Sequence, residues 1–220
     1  MEEVDSPING KIRVVKSLGY GTYIQVDNLT QSGGVVYEVW RTVLKKISHY
    51  PLIISHCLIL GLGGGSAAKL VKKYWPEAKV TGVDIDPIMV ELGKKYLGLP
   101  DIKTVIDDAE NFLLTISHPA RRSYASGATG GQPSTIKYDL VLVDTYLGDK
   151  YPKKFESDEF LKSVRRLLFN GGIAVFNRLY FGEKRPEAVK FGKKLEKVFG
   201  KVEYVYPEAN IMFIASSATI

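Results

Sequence analysis

Residues 57–84 constrain the fold more than any other stretch of the chain. Cys57-Leu58-Ile59-Leu60 is an apolar run of strand length, and Gly61-Leu62-Gly63-Gly64-Gly65-Ser66 follows without a spacer. Residues 67–75 carry apolar side chains at helical spacing and stop at Pro76. A second strand, residues 79–84, ends on Asp84. Strand, glycine turn, helix, strand and terminal acid within about thirty residues is the order of a nucleoside-binding βαβ unit. Glycine lets the backbone turn sharply and approach a ligand with no Cβ in the way. Asp84 is placed to accept hydrogen bonds from ribose hydroxyls. Gly61, Gly63 and Gly65 form G-x-G-x-G. The dinucleotide pattern wants a sixth-position glycine for close helix packing, and Ser66 stands there, which argues against a pyrophosphate ligand.

The length of 220 residues, 45% of them hydrophobic, suits one α/β domain with a small appendage. No run of eighteen apolar residues exists, so no transmembrane helix is expected. The acidic start, Met1 to Ser6, lacks the hydrophobic segment of a signal peptide. The single cysteine, Cys57, lies in a predicted core strand; it excludes an internal disulfide and fits a reducing cytoplasm. The net charge of +6 comes from lysine doublets spread over predicted helices. They read as solvated faces rather than a nucleic-acid stripe. His49, His56 and His118 are scattered, and no spacing matches a metal-ligand set. Ser66 is not a nucleophile elbow, because Ala68 stands where glycine would be wanted.

Residues 1–34 read as a small N-terminal β appendage. Residues 11–16 and 22–27 alternate as two strands of a hairpin turned at residues 19–21, and a polar loop covers 28–34. A lone hairpin is marginal and must pack on the main domain or on a partner chain, which is compatible with a homodimer. Residues 35–220 read as a Rossmann-like domain. A helix over 35–50 is closed by Pro51, and Asp86 caps another that runs to about Tyr96 with Pro87 in its first turn. Strand 102–106 precedes a helix opened by Asp107-Asp108-Ala109. Residues 117–137, rich in Ser, Gly and Ala, read as a flexible surface insertion. Strand 138–144 is almost continuously apolar, as a central parallel strand should be. Helix 156–169, strand 173–177 and helix 186–199 follow. Strands 201–206 and 211–215 are too close in sequence for a helical crossover and must be antiparallel. The expected fold is α/β: a doubly wound, mostly parallel seven-stranded sheet with a terminal antiparallel hairpin, plus the small N-terminal β-hairpin.

This order resembles the class I S-adenosylmethionine-dependent methyltransferase fold. Val83-Asp84-Ile85-Asp86-Pro87, Asp108-Ala109-Glu110-Asn111-Phe112-Leu113, Tyr138-Asp139-Leu140-Val141-Leu142-Val143-Asp144 and Gln31 before the domain are similar to the spermidine synthases and their methyltransferase-like relatives. The resemblance implies that Gly61, Gly63, Gly65, Asp84, Ile85, Asp108, Ala109 and Asp144 bind the cofactor. In that role Asp84 takes the ribose, Asp108-Ala109 the adenine, and Asp144 sits beside the sulfonium.

Three departures from the aminopropyl-transferring members matter. Those members carry an acid in the glycine loop where this chain has Gly64. They carry a second acid after the fourth strand where this chain has Leu147. Their Tyr-His-Glu stretch is Tyr37-Glu38-Val39 here. A cationic diamine needs carboxylates around it once desolvated, and Asp149 and Glu38 are those left to substitute. The first expectation is therefore methyl transfer from S-adenosylmethionine to a small-molecule or protein acceptor. The alternative is aminopropyl transfer from decarboxylated S-adenosylmethionine to a diamine, and a third reading is a catalytically silent nucleoside-binding protein. Asp144, Tyr146 and Asp149 are the catalytic candidates, because ligands of open α/β sheets bind beyond the strands' C-terminal ends. Gln31 and Tyr37 are the candidates for the acceptor substrate. A homodimer is expected from the resemblance, and neither a membrane nor a nucleic acid is expected as a partner.

Overall fold

In the computed structural model, residues 2–117 and 137–216 are described. The main sheet comprises β5 (His56–Leu60), β6 (Lys79–Asp84), β7 (Lys103–Ile106), β8 (Tyr138–Val143), β9 (Leu168–Leu179), β10 (Lys201–Val205) and β11 (Asn210–Ser216). Their order is β10-β11-β9-β8-β5-β6-β7. The four pairings from β9 to β7 are parallel, and β11 runs antiparallel to both neighbours. This is the expected doubly wound sheet with its terminal hairpin.

Alternation along β8 explains its apolar run. Leu140 and Leu142 enter one core with α1 (Gly34–Ile47) and α2 (Ser66–Tyr74). Val141 and Val143 enter the other with α4 (Ala109–Ser117), α5 (Asp158–Leu167) and α6 (Lys184–Phe199). A strand covered on both faces has no polar side to show. No described helix is long and apolar enough to cross a membrane.

The N-terminal part differs from the expected hairpin and loop. It is a four-stranded antiparallel sheet of β1 (Glu2–Ser6), β2 (Gly10–Ser17), β3 (Gly21–Val26) and β4 (Leu29–Gly33). Asp27 and Asn28 both adopt positive φ, 45° and 63°. That is the tight mirror-image turn favoured by Asp and Asn, and it returns the chain at once as β4 instead of a loop. Ile12, Val14, Ile24 and Val26 share a core with Met89 and Leu92 of α3 (Pro87–Leu92).

Asp86 ties the two sheets together. It is fully buried and caps α3 through the Ile88 and Met89 amides. It also accepts from Ser6 Oγ at 2.6 Å and Asn9 Nδ2 at 2.7 Å. The helix expected to reach Tyr96 ends at Leu92 and passes into a wider π turn, Gly93–Leu97. The helix expected over 156–169 is split by Ser157, which caps α5 by accepting from Phe160 N at 3.1 Å. Residues 118–136 of the expected insertion lie outside the described residues.

Candidate functional site

A cavity of about 230 Å³ opens beyond the C-terminal ends of β5, β6 and β8. Its first wall is the glycine loop. A Cβ at Gly61 would stand 2.0 Å from the Asp144 carbonyl oxygen, and its φ is +85°, so only glycine lets β5 and β8 close here. The loop's amides are occupied within the protein. Gly61 N and Leu62 N donate to Val83 O at 2.9 Å, Gly63 N to Asp84 Oδ2 at 2.6 Å, Gly64 N to Ser32 Oγ at 2.7 Å and Gly65 N to Leu62 O at 3.0 Å. No amide cradle is left for a pyrophosphate.

Asp84 is fixed by two backbone donors, since Asp86 N reaches its other oxygen at 2.9 Å. Burial pushes its carboxyl up to about 6, against those two amides, which favour the charged form. Ile85, Asp107, Asp108 and Ala109 continue the wall. Asp108 uses one oxygen to cap α4 through Glu110 N at 2.9 Å and the other to pair with Lys154 at 2.5 Å. The cofactor-side residues expected from sequence are thus brought together, apart from Gly65, which turns the loop into α2 behind the cavity wall.

Asp144 stands across the cavity from them. Trp40 Nε1 donates to its Oδ2 at 2.9 Å and Asn177 Nδ2 to its Oδ1 at 2.8 Å. Asn177 is held in turn by Asn210 at 2.7 Å. Burial raises the Asp144 carboxyl above the ordinary carboxylate range, and the Trp40 and Asn177 bonds oppose that rise. Tyr146 lines the same end; its hydroxyl accepts from Leu179 N at 2.7 Å, and burial pushes it up to about 12. Gln31 reaches the cavity and donates to Gly148 O at 3.2 Å.

Two expected residues are placed elsewhere. Asp149 points to solvent and pairs with Lys184 at 3.1 Å, because Gly148 turns the loop at φ +58° before it. Tyr37 lines a separate groove with Tyr20, Glu38 and Leu97. Tyr37 and Trp40 lie three residues apart on α1, and it is Trp40 that the helix aims at Asp144. Glu38 bonds Arg41 at 2.6 Å and does not line the cavity either.

Residues missed in the sequence are Asn9, Ser32, Trp40, Lys154 and Asn177. A polar residue closing an apolar strand is the one signal that marks Asn177; Trp40 reads only as core. Gly64 leaves no room for a side chain, since its Cβ would lie 2.8 Å from Leu97 Cδ1 and 2.9 Å from Ile24 Cδ1 and Ser32 Cβ. Leu147 lines the cavity without charge.

The model of the Spermine/spermidine synthase domain family matches residues 42–214. A probable polyamine aminopropyl transferase of Bifidobacterium longum is 34% identical over 173 residues, which are 70% of this chain and 35% of that protein. The chain therefore spans about a third of that relative's length. The eEF1A lysine and N-terminal methyltransferase of the mouse, Mus musculus, is 26% identical over 141 residues, covering 62% of this chain and 19% of that protein. Several further relatives are named polyamine aminopropyltransferase. Among solved structures, a probable spermidine synthase from Corynebacterium glutamicum superposes with a TM-score of 0.74 at 17% identity, covering 100% of this chain and 81% of that one. That likeness is one of fold. The family match covers most of the chain, and the chain belongs to the spermine/spermidine synthase family.

Proposed function

We propose that the chain transfers an alkyl group from an adenosyl sulfonium to an amine, and that the group is aminopropyl. The observation that carries this is Asp144, a half-buried carboxylate fixed by Trp40 and Asn177 in the same cavity as the amide-anchored Asp84. The donor set fits the ligand: Asp84 keeps lone pairs for ribose hydroxyls, and no free amide cradle demands a pyrophosphate. When bound, the sulfonium supplies the carbon to be transferred and the sulfur that leaves with the C–S electron pair.

The chain's own part is alignment and proton handling. An amine enters as an ammonium, attracted to Asp144. It must lose one proton before its lone pair can form the new C–N bond. Asp144 accepts that proton, and its raised proton affinity makes it a better base at neutral pH than an exposed aspartate. Trp40 and Asn177 keep its oxygens aimed, and the apolar wall of Val36, Leu147 and Phe155 excludes water.

The aminopropyl assignment is supported by the family and by relatives named for that reaction. It takes precedence over methyl transfer, the first expectation above. Methyl transfer stands as the second reading because Gly64 has no space for the acid of the aminopropyl enzymes and Leu147 is uncharged. Side-by-side calorimetric titration tests both readings. Tighter binding of decarboxylated S-adenosylmethionine, with turnover of 1,4-diaminobutane or another amine, is the expected result. Preference for S-adenosylmethionine replaces the first reading by the second, and binding of neither rejects both.

A further inference from the structure

One wall of the nucleoside end comes from outside the βαβ unit. Asn9, in the turn between β1 and β2, lines the cavity together with Asp84, Ile85 and Met89. Ser6 shapes that turn: its Oγ accepts from Ile8 N at 3.0 Å and from Asn9 N at 3.2 Å, and donates in turn to Asp86 Oδ2 at 2.6 Å. Asn9 Nδ2 donates to the same oxygen at 2.7 Å. Asp86 is a fixed anchor, because it is fully buried and its other oxygen caps α3 through Ile88 N and Met89 N. Its own N–H holds Asp84 Oδ1 at 2.9 Å. The Asn9 amide and the Asp84 carboxylate are thus both tied to one residue, the first to its side chain and the second to its backbone.

A primary amide carries two N–H donors and one carbonyl acceptor. Asp86 uses one donor. Among the described residues, no partner takes the second N–H or Oδ1. Ser6 already gives Asp86 Oδ2 a donor, so the cap of α3 does not explain why an amide stands at the cavity. The Asp84 carboxylate can only accept, and each of its oxygens takes one amide and has room for a hydroxyl proton. It offers nothing to the lone pairs of a hydroxyl, whereas an amide N–H does. Carboxylate and amide side by side therefore match a vicinal diol, in which each hydroxyl both donates and accepts.

We propose that Asn9 binds one hydroxyl of the donor's ribose, beside the hydroxyl held by Asp84. This rests on the adenosyl reading above. It adds a residue that lies outside the stretch matched by the family model, residues 42–214. The N-terminal sheet is then part of the nucleoside site as well as the cover of α3.

Calorimetry of the full chain with 5′-methylthioadenosine, an adenosyl thioether, and with its 2′-deoxy and 3′-deoxy forms tests the proposal. Asn9→Ala should weaken 5′-methylthioadenosine on the order of fivefold, the worth of one neutral hydrogen bond. The loss should persist for one deoxy form and vanish for the other, which lacks the hydroxyl that Asn9 holds. Ser6→Ala is the control, since it removes a donor from the same Asp86 oxygen and Ser6 does not line the cavity. Any loss it causes should be equal for all three ligands. Asn9→Ser suits a turn and lacks the amide, and it carries the same expectation if the alanine variant fails to fold. An equal loss for all three ligands in the Asn9 variants makes the residue a brace for Asp86 and overturns the proposal. So does no loss at all, or a hydroxyl-dependent loss in Ser6→Ala as well. In each of those cases the parent protein still binds 5′-methylthioadenosine and the adenosyl reading stands. A parent protein that binds none of the three ligands defeats that reading and this inference together.

Discussion

The two ends of the cavity are built on different principles. The nucleoside end uses one contiguous βαβ unit, and it holds its carboxylate with backbone amides from Gly63 and Asp86. The acceptor end gathers Gln31, Trp40, Asp144, Thr145 and Asn177 from distant parts of the chain and holds its carboxylate with side chains. A site anchored on backbone survives most side-chain changes nearby. A site anchored on side chains can be retuned residue by residue while the fold stays the same. The difference predicts that damage at one end is read in binding and damage at the other in turnover.

The largest effect is expected at Asp144. Asp144→Asn keeps the size but removes the base and the charge, and its single amide oxygen can accept from only one of Trp40 and Asn177. The turnover rate should fall by about 10²–10⁴-fold, the usual worth of a positioned general base. Adenosyl binding, measured by calorimetry, should stay within about threefold of the parent protein, given that Asp84 bears the ribose. A parallel collapse of binding would break the division between the two ends.

Asp84→Ala comes next. It strands the Gly63 and Asp86 amides and removes the ribose acceptor together. Adenosyl binding should weaken by roughly 1–3 kcal/mol, the cost of leaving such partners unpaired. An unchanged dissociation constant would mean that the ribose lies elsewhere.

The same contrast governs what the sequence discloses. The nucleoside end is legible because its order is local: Gly61, Gly63 and Asp84 meet through one strand, one turn and one helix. The seven-stranded sheet is legible for a related reason, since apolar runs and the four residues between its last strands leave few topologies. Trp40 is different. Nothing in a helix of apolar spacing says that one tryptophan turns its N–H toward a carboxylate 104 positions away. Asn177 depends on the β8–β9 register, which is a tertiary fact. Asp149 looked equivalent to Asp144 along the chain, but a left-handed glycine turn at Gly148 sends it outward. The N-terminal sheet was hidden by Asp27-Asn28, a polar pair that reads as a loop and folds as a two-residue hairpin turn.

A pH titration sharpens the comparison with a smaller effect. Burial holds the Asp84 carboxyl at about 6, above its ordinary 3.8. The sign follows from which state binds the proton more tightly. In the unliganded protein this group's contribution to stability is complete below about 3.8 and is lost as the pH rises through about 6, because burial penalises the charged form. Ribose binding runs the other way, since the ribose hydroxyls need the ionised carboxylate. Adenosyl affinity should therefore drop by about tenfold between neutral pH and one unit below the midpoint, the response of one titrating group. Asp84→Asn should flatten the profile. A midpoint that survives that substitution would assign the titration to another group, with Asp144 the first to test by the same exchange.

The smallest effect is expected at Asp149, and it tests how far the acceptor end extends. Asp149 shares the loop of Asp144 and Tyr146, and a carboxylate there would be free to bind an amine if the loop turned inward. Its side chain is instead largely exposed and paired with Lys184, which draws its carboxyl below the ordinary range first by that hydrogen bond and then by charge. Exposed pairs of this kind contribute little, because water screens both partners. Asp149→Asn should accordingly change turnover and amine affinity by less than about twofold, and lowering the salt should not enlarge the effect beyond what a surface charge produces. A tenfold loss of amine affinity, with adenosyl binding intact, would show the loop folding inward over the amine. It would also supply the second carboxylate whose absence at Leu147 distinguishes this chain from the aminopropyl-transferring pattern.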